Sequence, residues 1–250
     1  MATLQVSTAM TAAFLALTAL VVAADIALVR RAAPAETQGR WTRRAIALAV
    51  LWLAAHAGIA ASGVLESAEL PPRVALYLPP TMALGVWLAL SPVGMRLAAL
   101  PLALLVGLHA FRLPLEIWLH TLADAGALPH RMTWAGWNFD VVTGASAAAL
   151  GLWGWRRPLP RALVLGWNCM GLALLVTVVT IAVLSTPTPL RRFFEGPPVL
   201  LPFVPPFNWI VGVHVWTALV GHLVVFRALR RPVDGQLTSG RAQGGAPSQR

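Results

Sequence analysis

Long apolar runs separated by short polar connections follow one another along nearly the whole chain. Each run has about the 17–25 residues that an α-helix needs to cross a bilayer. The runs predict seven transmembrane helices at about 6–29, 45–64, 74–90, 97–121, 134–155, 162–184 and 207–226. We therefore expect an all-α polytopic membrane protein in which residues 1–229 form one seven-helix bundle.

The arginines predict the orientation of this bundle. Seven spans place alternate loops on opposite sides of the membrane. The loops after the first, third and fifth spans, together with the C-terminal segment, hold 14 arginines, whereas the opposite side holds 4. Since basic loops stay in the cytoplasm, the N-terminus is expected outside and the C-terminus inside. Residues 230–250 are basic and then rich in Gly, Ser and Gln, which predicts a disordered cytoplasmic tail.

The composition agrees with a membrane protein and excludes several classes. Hydrophobic residues make up 58% of the chain, charged residues 11%, and the mean hydropathy is +0.71. The net charge of +10 comes from arginines that flank apolar runs, so the expected partner is the lipid bilayer and not nucleic acid. The chain has no lysine, which excludes a retinal Schiff base. Cys169 is the single cysteine, so an intrachain disulfide and a thiolate metal site are also excluded.

The fourth apolar run carries four ionisable side chains, His109, Arg112, Glu116 and His120. At 100° per residue they lie within an arc of about 80°, and so on one face of a helix. Facing lipid would cost roughly 2.5–3.5 kcal/mol for the arginine alone. This face is therefore expected to point toward a protein interior or a cavity, and Pro114 among these residues predicts a kink.

The predicted orientation converts sequence position into depth, since each helical residue advances about 1.5 Å. Most polar residues of the spans then lie in the outer half of the membrane, which predicts a cavity open to the outside between spans three, four, five and seven. The residues are His120, Glu116, Arg112, Asn138, Asp140 and Tyr77 in the outer half, His56, His109 and His214 near the middle, and Asn168 and His222 in the inner half.

Two interpretations of the charged residues remain open. In the structural one, Arg112 and Glu116 form an i,i+4 ion pair, alone or shared with Asp140, that locks two helices together. In the functional one, Arg112 binds a carboxylate or phosphate-like group while Glu116, His120 or Asp140 accepts protons. The second interpretation predicts binding or transport of a small anionic or protonatable solute, with His109, Asn138 and Tyr77 also lining the site.

Metal and haem sites are weaker alternatives, and no cofactor is expected. Glu116 and His120, with His109 or Asp140, have metal-ligand chemistry, but the guanidinium between them opposes cation binding. Haem b would need two axial histidines, drawn from His109, His214 and His56. Asn168 and His222 are expected to form supporting interhelical hydrogen bonds.

Catalytic motifs give no indication of an enzyme. The chain contains no HExxH, no GxSxG, no phosphate-binding Gly-Lys-Ser/Thr loop and no GxGxxG motif. A scaffold or assembly role without small-molecule chemistry is therefore a third possibility.

Several segments between residues 108 and 229 together form a recognisable pattern. They are FRLPLEIWLH, MTWAGWNFDVVTG, the WN pair at 167–168, LSTPTP at 184–189 and GHLVVFRAL at 221–229. The pattern resembles a family of bacterial multi-pass inner-membrane proteins. The resemblance implies a location in the bacterial cytoplasmic membrane and implies no mechanism. The matching polar residues are Arg112, Glu116, Asn138, Asp140, Asn168 and His222; the first half of the chain, with His56, does not match.

Overall fold

A computed structural model of the chain describes residues 4–66 and 70–231, so nearly all of the predicted tail lies outside the described residues. The described residues form nine α-helices and no strand. The helices are α1 (Thr8–Ala32), α2 (Gln38–Ala61), α3 (Arg73–Leu90), α4 (Pro92–Leu97), α5 (Leu102–Leu108), α6 (Arg112–Asp124), α7 (Asp140–Arg156), α8 (Arg161–Ser185) and α9 (Trp216–Arg230). A 3₁₀ turn, His109–Phe111, joins α5 to α6, and a π-helical segment, Ile210–Val215, leads into α9.

Within residues 4–66 and 70–231, six helical segments are long and apolar enough to cross a membrane, which indicates a multi-pass membrane protein. They are Thr8–Ala32, Ala35–Ala61, Arg73–Leu90, Leu102–Asp124, Arg161–Ser185 and Ile210–Arg230. Large apolar side chains remain on the outside of the bundle, where Leu20, Leu48 and Trp87 are 64%, 65% and 68% exposed. Such a surface is stable against lipid and would be costly in water.

Three helices begin later than the apolar pattern predicts, each for a local reason. The fourth span begins at Leu102, because Ser91 caps the short α4 and a turn ending at Pro101 separates it from α5. The helix predicted as the fifth span, which is not among these six segments, begins at Asp140 and not at residue 134, because Asn138 Oδ1 accepts the backbone N–H of Asp140 (3.0 Å) and residues 134–139 form turns. The seventh begins as the π-helical segment at Ile210.

The predicted break in the fourth span occurs one turn before Pro114. There the helix tightens into the 3₁₀ turn at His109–Phe111, and the N–H of Arg112 donates to the carbonyl of His109. Proline lacks the N–H that would continue the regular α-helical pattern at this level. The irregular turn therefore carries His109, and Arg112 follows it directly as the first residue of α6.

Glycines allow α7 to approach α5 and α6 at backbone distance. A Cβ added at Gly144 would lie 2.2 Å from the backbone nitrogen of Leu113, and one added at Gly151 would lie 3.0 Å from the Cα of Gly107. Small residues at such positions are typical of helix packing in membranes. The contact at Gly144 brings the start of α7 against the start of α6, where the charged residues lie.

Candidate functional site

Arg112, the first residue of α6, is 1% exposed and contacts three neighbouring helices. Its Nε donates to Asp140 Oδ2 of α7 at 2.6 Å, and its Nη2 forms an ion pair with the same oxygen. Its Nη1 lies 2.9 Å from His222 Nε2 of α9 and 3.4 Å from the carbonyl oxygen of Gly171 of α8. The guanidinium is therefore the centre at which α6, α7, α8 and α9 meet.

The contact with Arg112 fixes the tautomer of His222. Because arginine only donates hydrogen bonds, His222 Nε2 must accept, and the ring proton must lie on Nδ1. Nδ1 then donates to Asn168 Oδ1 at 2.8 Å, while Asn168 Nδ2 donates to the backbone carbonyl of His222 at 3.1 Å. His222 is thus held as a neutral acceptor for the arginine.

Asn138 extends the network to the second buried acid, Glu116. Asn138 Nδ2 donates to Glu116 Oε2 at 2.7 Å and to the carbonyl of Met132 at 2.9 Å, while its Oδ1 accepts the N–H of Asp140. All six side chains of this network are buried. We call them the polar cluster: Glu116, Asn138, Asp140, Arg112, His222 and Asn168.

The ion pair within the polar cluster differs from the predicted one. Within the described residues no ion pair of 4.0 Å or less joins Arg112 to Glu116. The Arg112–Glu116 contact of the structural interpretation is therefore wrong, whereas Asp140, the acid that this interpretation allowed to share the arginine, does bind the guanidinium and ties α7 to α6. Asn138 binds the Glu116 carboxyl instead. Glu116 is left buried with an amide donor and without a cationic partner.

His109 lies beside the polar cluster without a hydrogen bond to it. Its ring lies against that of His222, with centroids 4.2 Å apart and the planes tilted by 40°, and meets Trp167 edge-on at 5.3 Å. It also rests against α9 at Gly221, where a Cβ would lie 2.6 Å from His109 Nε2. Neither ring nitrogen of His109 has a hydrogen-bond partner among the described residues.

Tyr77 and His56 form a separate pair. The Tyr77 hydroxyl hydrogen-bonds to His56 Nδ1, linking α3 to α2. Asn208 Nδ2 donates to the backbone carbonyl of His56 at 2.7 Å, and the imidazole lies against Gly212 of the π-helical segment. Sequence reasoning missed Asn208, although an asparagine at the start of an apolar span was the available signal.

His214 and His120 lie apart from the polar cluster. His214 packs against Phe14 and Phe111, with ring centroids 5.2 and 5.9 Å away. His120 is half-buried and stacks on Trp134 at 4.0 Å. In the described part of the chain, no group of three or more His, Cys, Asp or Glu side chains is arranged to hold a metal ion. The three histidines considered for haem, His56, His109 and His214, have different ring neighbours.

A cavity with about 100 Å³ of room for water-sized molecules adjoins the polar cluster. Arg112, Glu116 and Asp140 line it, as do Tyr77 and His214, but its walls are mainly apolar. The apolar walls come from α3, α6, the π-helical segment and α8, and α8 was not among the predicted walls. They include Leu78, Leu119, Leu175, Val178, Ala182 and Val211.

The loop at residues 186–202 forms another wall of this cavity through Thr188, Leu190 and Val199. Arg131 holds the loop from the opposite connection. Its guanidinium lies over the rings of Trp137 (4.3 Å) and Phe193 (4.4 Å) and forms an ion pair with Glu195. Around Phe193 and Glu195 the loop is therefore fastened by contacts at the edge of the bundle, whereas Val199 and Leu201 anchor its other end in the core.

The six residues of the polar cluster are the same six polar positions on which the resemblance to bacterial inner-membrane proteins rests. Arg112 and His222, which are 110 positions apart in sequence, are in direct contact there. Comparisons of the chain with protein-family models, curated proteins and solved structures return no match.

Proposed function

We propose that the protein binds or transports a small protonatable solute in the cavity beside the polar cluster. In this proposal the chain lies in the bacterial cytoplasmic membrane as a seven-span bundle, with the N-terminus outside. The span added to the six long apolar helices is α7, the fifth in chain order, whose 17 residues are at the short end of the membrane-spanning range. The distribution of arginines, 14 against 4, supports this orientation.

The charges of the polar cluster support a protonatable solute over an anion. The cluster holds one cation, Arg112, and two acids, Asp140 and Glu116, while His222 acts as a neutral acceptor. Asp140 already neutralises Arg112. A buried carboxylate without a cationic partner costs several kcal/mol. A proton, or the cationic head of a bound solute, would balance Glu116, whereas an anion would add a second uncompensated charge.

The cavity also limits the shape of the solute. Its walls are aliphatic around a floor of charged side chains, so a ligand with a short apolar body and one polar head would match it. The volume of about 100 Å³ exceeds the space for a single water several-fold and suits a molecule of a few heavy atoms. Glu116 would accept the hydrogen bond from the head group.

Entry is proposed from the outer side, past the loop at residues 186–202. This loop closes one wall of the cavity, and the contacts of Arg131 that fasten it lie at the surface. Exposed ion pairs contribute only about 0–1 kcal/mol, so releasing the part of the loop around Phe193 and Glu195 costs less than opening the polar cluster, while the buried Val199 and Leu201 keep the other end in place.

The observation that carries the proposal is the buried Glu116 carboxyl beside the cavity, with no cation at ion-pair distance among residues 4–66 and 70–231. Titration calorimetry of the purified protein with n-butylammonium and with n-butyrate tests it, because the two probes share an apolar body and differ in charge. We expect n-butylammonium to bind more tightly, and Glu116→Gln to weaken its binding at least about ten-fold, as expected for loss of a charged hydrogen-bond partner. The matched control is Asp124→Asn, which neutralises an exposed acid of the same helix. This variant is expected to leave binding unchanged. Tighter binding of butyrate, no binding of n-butylammonium, or equal binding by Glu116→Gln would refute the proposal.

The topology is tested separately with alkaline phosphatase fusions, which are active only outside the cytoplasm. Fusions after residues 37 and 127 are expected to be inactive and active, respectively. The opposite result, or identical activity at both positions, would contradict the proposed orientation.

A further inference from the structure

A second and larger cavity lies on another side of the bundle, between α1, α2, α3 and α9. It offers about 780 Å³ to water-sized molecules, and aliphatic and tryptophan side chains make up most of its lining. We call it the lateral crevice. It is lined by, among others, Leu48, Trp52, Leu84, Trp87, Val220 and Val224.

The lateral crevice opens toward the lipid. Leu48, Leu51 and Trp87 line it and yet remain 65%, 66% and 68% exposed. Along α2 its lining runs from Trp41 to Ala55, which corresponds to roughly 21 Å at 1.5 Å per residue. This length covers about half of the 30 Å hydrocarbon core, the depth that the acyl chain of one leaflet occupies, together with part of the adjoining head-group region.

One end of the lateral crevice is basic and lies at the ends of helices. Arg44 and Trp41 line it there, and the guanidinium of Arg96, from α4, lies 5.7 Å over the Trp41 ring. Arg44 and Arg96 are both exposed, as are the nearby Arg40 and Arg43 of α2. Clusters of arginine at the end of a membrane span attract anionic lipid head groups, and basic pockets between spans bind them.

The lining of the lateral crevice includes one acidic side chain, Asp25, which already accepts a hydrogen bond from a neighbouring helix. Thr217 Oγ1 of α9 donates to Asp25 Oδ2 at 2.7 Å. A phosphate would be repelled by this carboxyl and attracted by the arginines of α2 and α4. The head group is therefore placed at the Arg44 and Arg96 end, with the apolar chain passing along the crevice.

We propose that the lateral crevice binds an anionic phospholipid, with an acyl chain between α2 and α3 and the phosphate at Arg44 and Arg96. The site does not depend on the solute proposed above, because it shares no lining residue with the cavity beside the polar cluster. A lipid here would fill a gap that the helices leave unpacked and would tie α2 to the rest of the bundle.

Native mass spectrometry of the purified protein, titrated with phosphatidylglycerol and with phosphatidylcholine of the same chains, tests the proposal. We expect phosphatidylglycerol to bind preferentially, and the double variant Arg44→Gln/Arg96→Gln to lose about thirty-fold in affinity for it, at about five-fold per arginine. The matched control is Arg156→Gln/Arg157→Gln, which removes the same charge from two exposed arginines elsewhere and is expected to change affinity less than three-fold. Equal losses in the two doubles, or no preference of the wild-type protein for phosphatidylglycerol, would overturn it.

The acyl chain is tested by filling the crevice without changing charge. Ala49 lines it and Ala47 does not, so Ala49→Phe is expected to block binding while Ala47→Phe does not. Glycerol 3-phosphate, which has the head-group chemistry without a chain, is expected not to bind. Binding of glycerol 3-phosphate as tight as that of the lipid, or unchanged lipid binding by a folded Ala49→Phe protein, would also overturn the proposal.

Discussion

Neutralising the two acids of the polar cluster one at a time should give very different stabilities. Asp140→Asn removes the charge partner of Arg112, which is 1% exposed and donates to Asp140 Oδ2 at 2.6 Å. Removing one member of a buried ion pair leaves the other charge uncompensated, at a cost of about 3–5 kcal/mol. We therefore expect Asp140→Asn to lower the free energy of unfolding by that amount.

Glu116→Gln should behave differently, although Glu116 is as deeply buried. With the proton that is proposed above to balance its buried charge, Glu116 is neutral without solute, as glutamine is. The glutamine also keeps an oxygen that accepts the hydrogen bond from Asn138 Nδ2 (2.7 Å). The expected change is within about 1 kcal/mol in either direction, which is the size of one neutral hydrogen bond.

Unfolding in mixed micelles with increasing SDS, followed by tryptophan fluorescence, measures both changes. A double-mutant cycle with Arg112→Met isolates the pair: once the arginine is absent, Asp140→Asn should cost about 2 kcal/mol less than in the wild-type background. The reasoning is refuted if Asp140→Asn costs less than about 1 kcal/mol, if Glu116→Gln costs as much as Asp140→Asn, or if the cycle shows no coupling.

Three further predictions concern positions where the chain is tightly packed or loosely fastened. Gly144→Val places a side chain where a Cβ would lie 2.2 Å from the backbone of α6, and should cost about 3 kcal/mol or more in the same unfolding assay. Gly171→Ala pushes a Cβ to within 2.6 Å of the His222 ring and should cost about 1–3 kcal/mol, whereas Gly166→Ala on the open face of α8 should be neutral or slightly stabilising. Arg131→Ala should accelerate hydrogen exchange of the 186–202 loop about ten-fold, from the loss of its two cation–π contacts and one exposed ion pair, with little change in global stability.

Periodicity predicts which face of the fourth span is buried, but it does not predict where that face ends. His109, Arg112 and Glu116 lie on the predicted face and are buried. His120 lies on the same face one turn beyond Glu116 and is only half-buried. The helix ends at Asp124, and at that level a loop residue, Trp134, covers the imidazole in place of a neighbouring helix. The spacing of residues in the sequence does not show how far the neighbouring helices extend along the bundle.

Sequence periodicity likewise does not predict which side chains on different helices bind each other. The i,i+4 spacing favours an ion pair between Arg112 and Glu116, yet Arg112 pairs with Asp140. The choice depends on how closely α7 approaches α6, and Gly144 sets that distance through a backbone contact. Three histidines in the bundle also lie directly against a glycine of another helical segment, where the missing side chain leaves room for the imidazole. No pattern in a single sequence predicts which histidine meets which glycine. The pairs are His56 with Gly212, His109 with Gly221, and His222 with Gly171.

His109 and His222 lie between the cavity and the lateral crevice. Their hydrogen bonds predict which of the two histidines stabilises the fold. His222 contacts Arg112, which lines the cavity, while His109 rests against Gly221, which lines the crevice. Replacing His222 by leucine leaves the Arg112 Nη1 and the Asn168 amide without this partner, at about 1–3 kcal/mol for each buried unsatisfied group. The two ring nitrogens of His109 have no partner to lose, so His109→Leu, of similar volume, should change stability by less than about 1 kcal/mol. Both variants are measured in the micelle unfolding assay, and a cost for His109→Leu equal to that for His222→Leu would mean that His109 is held by interactions other than packing.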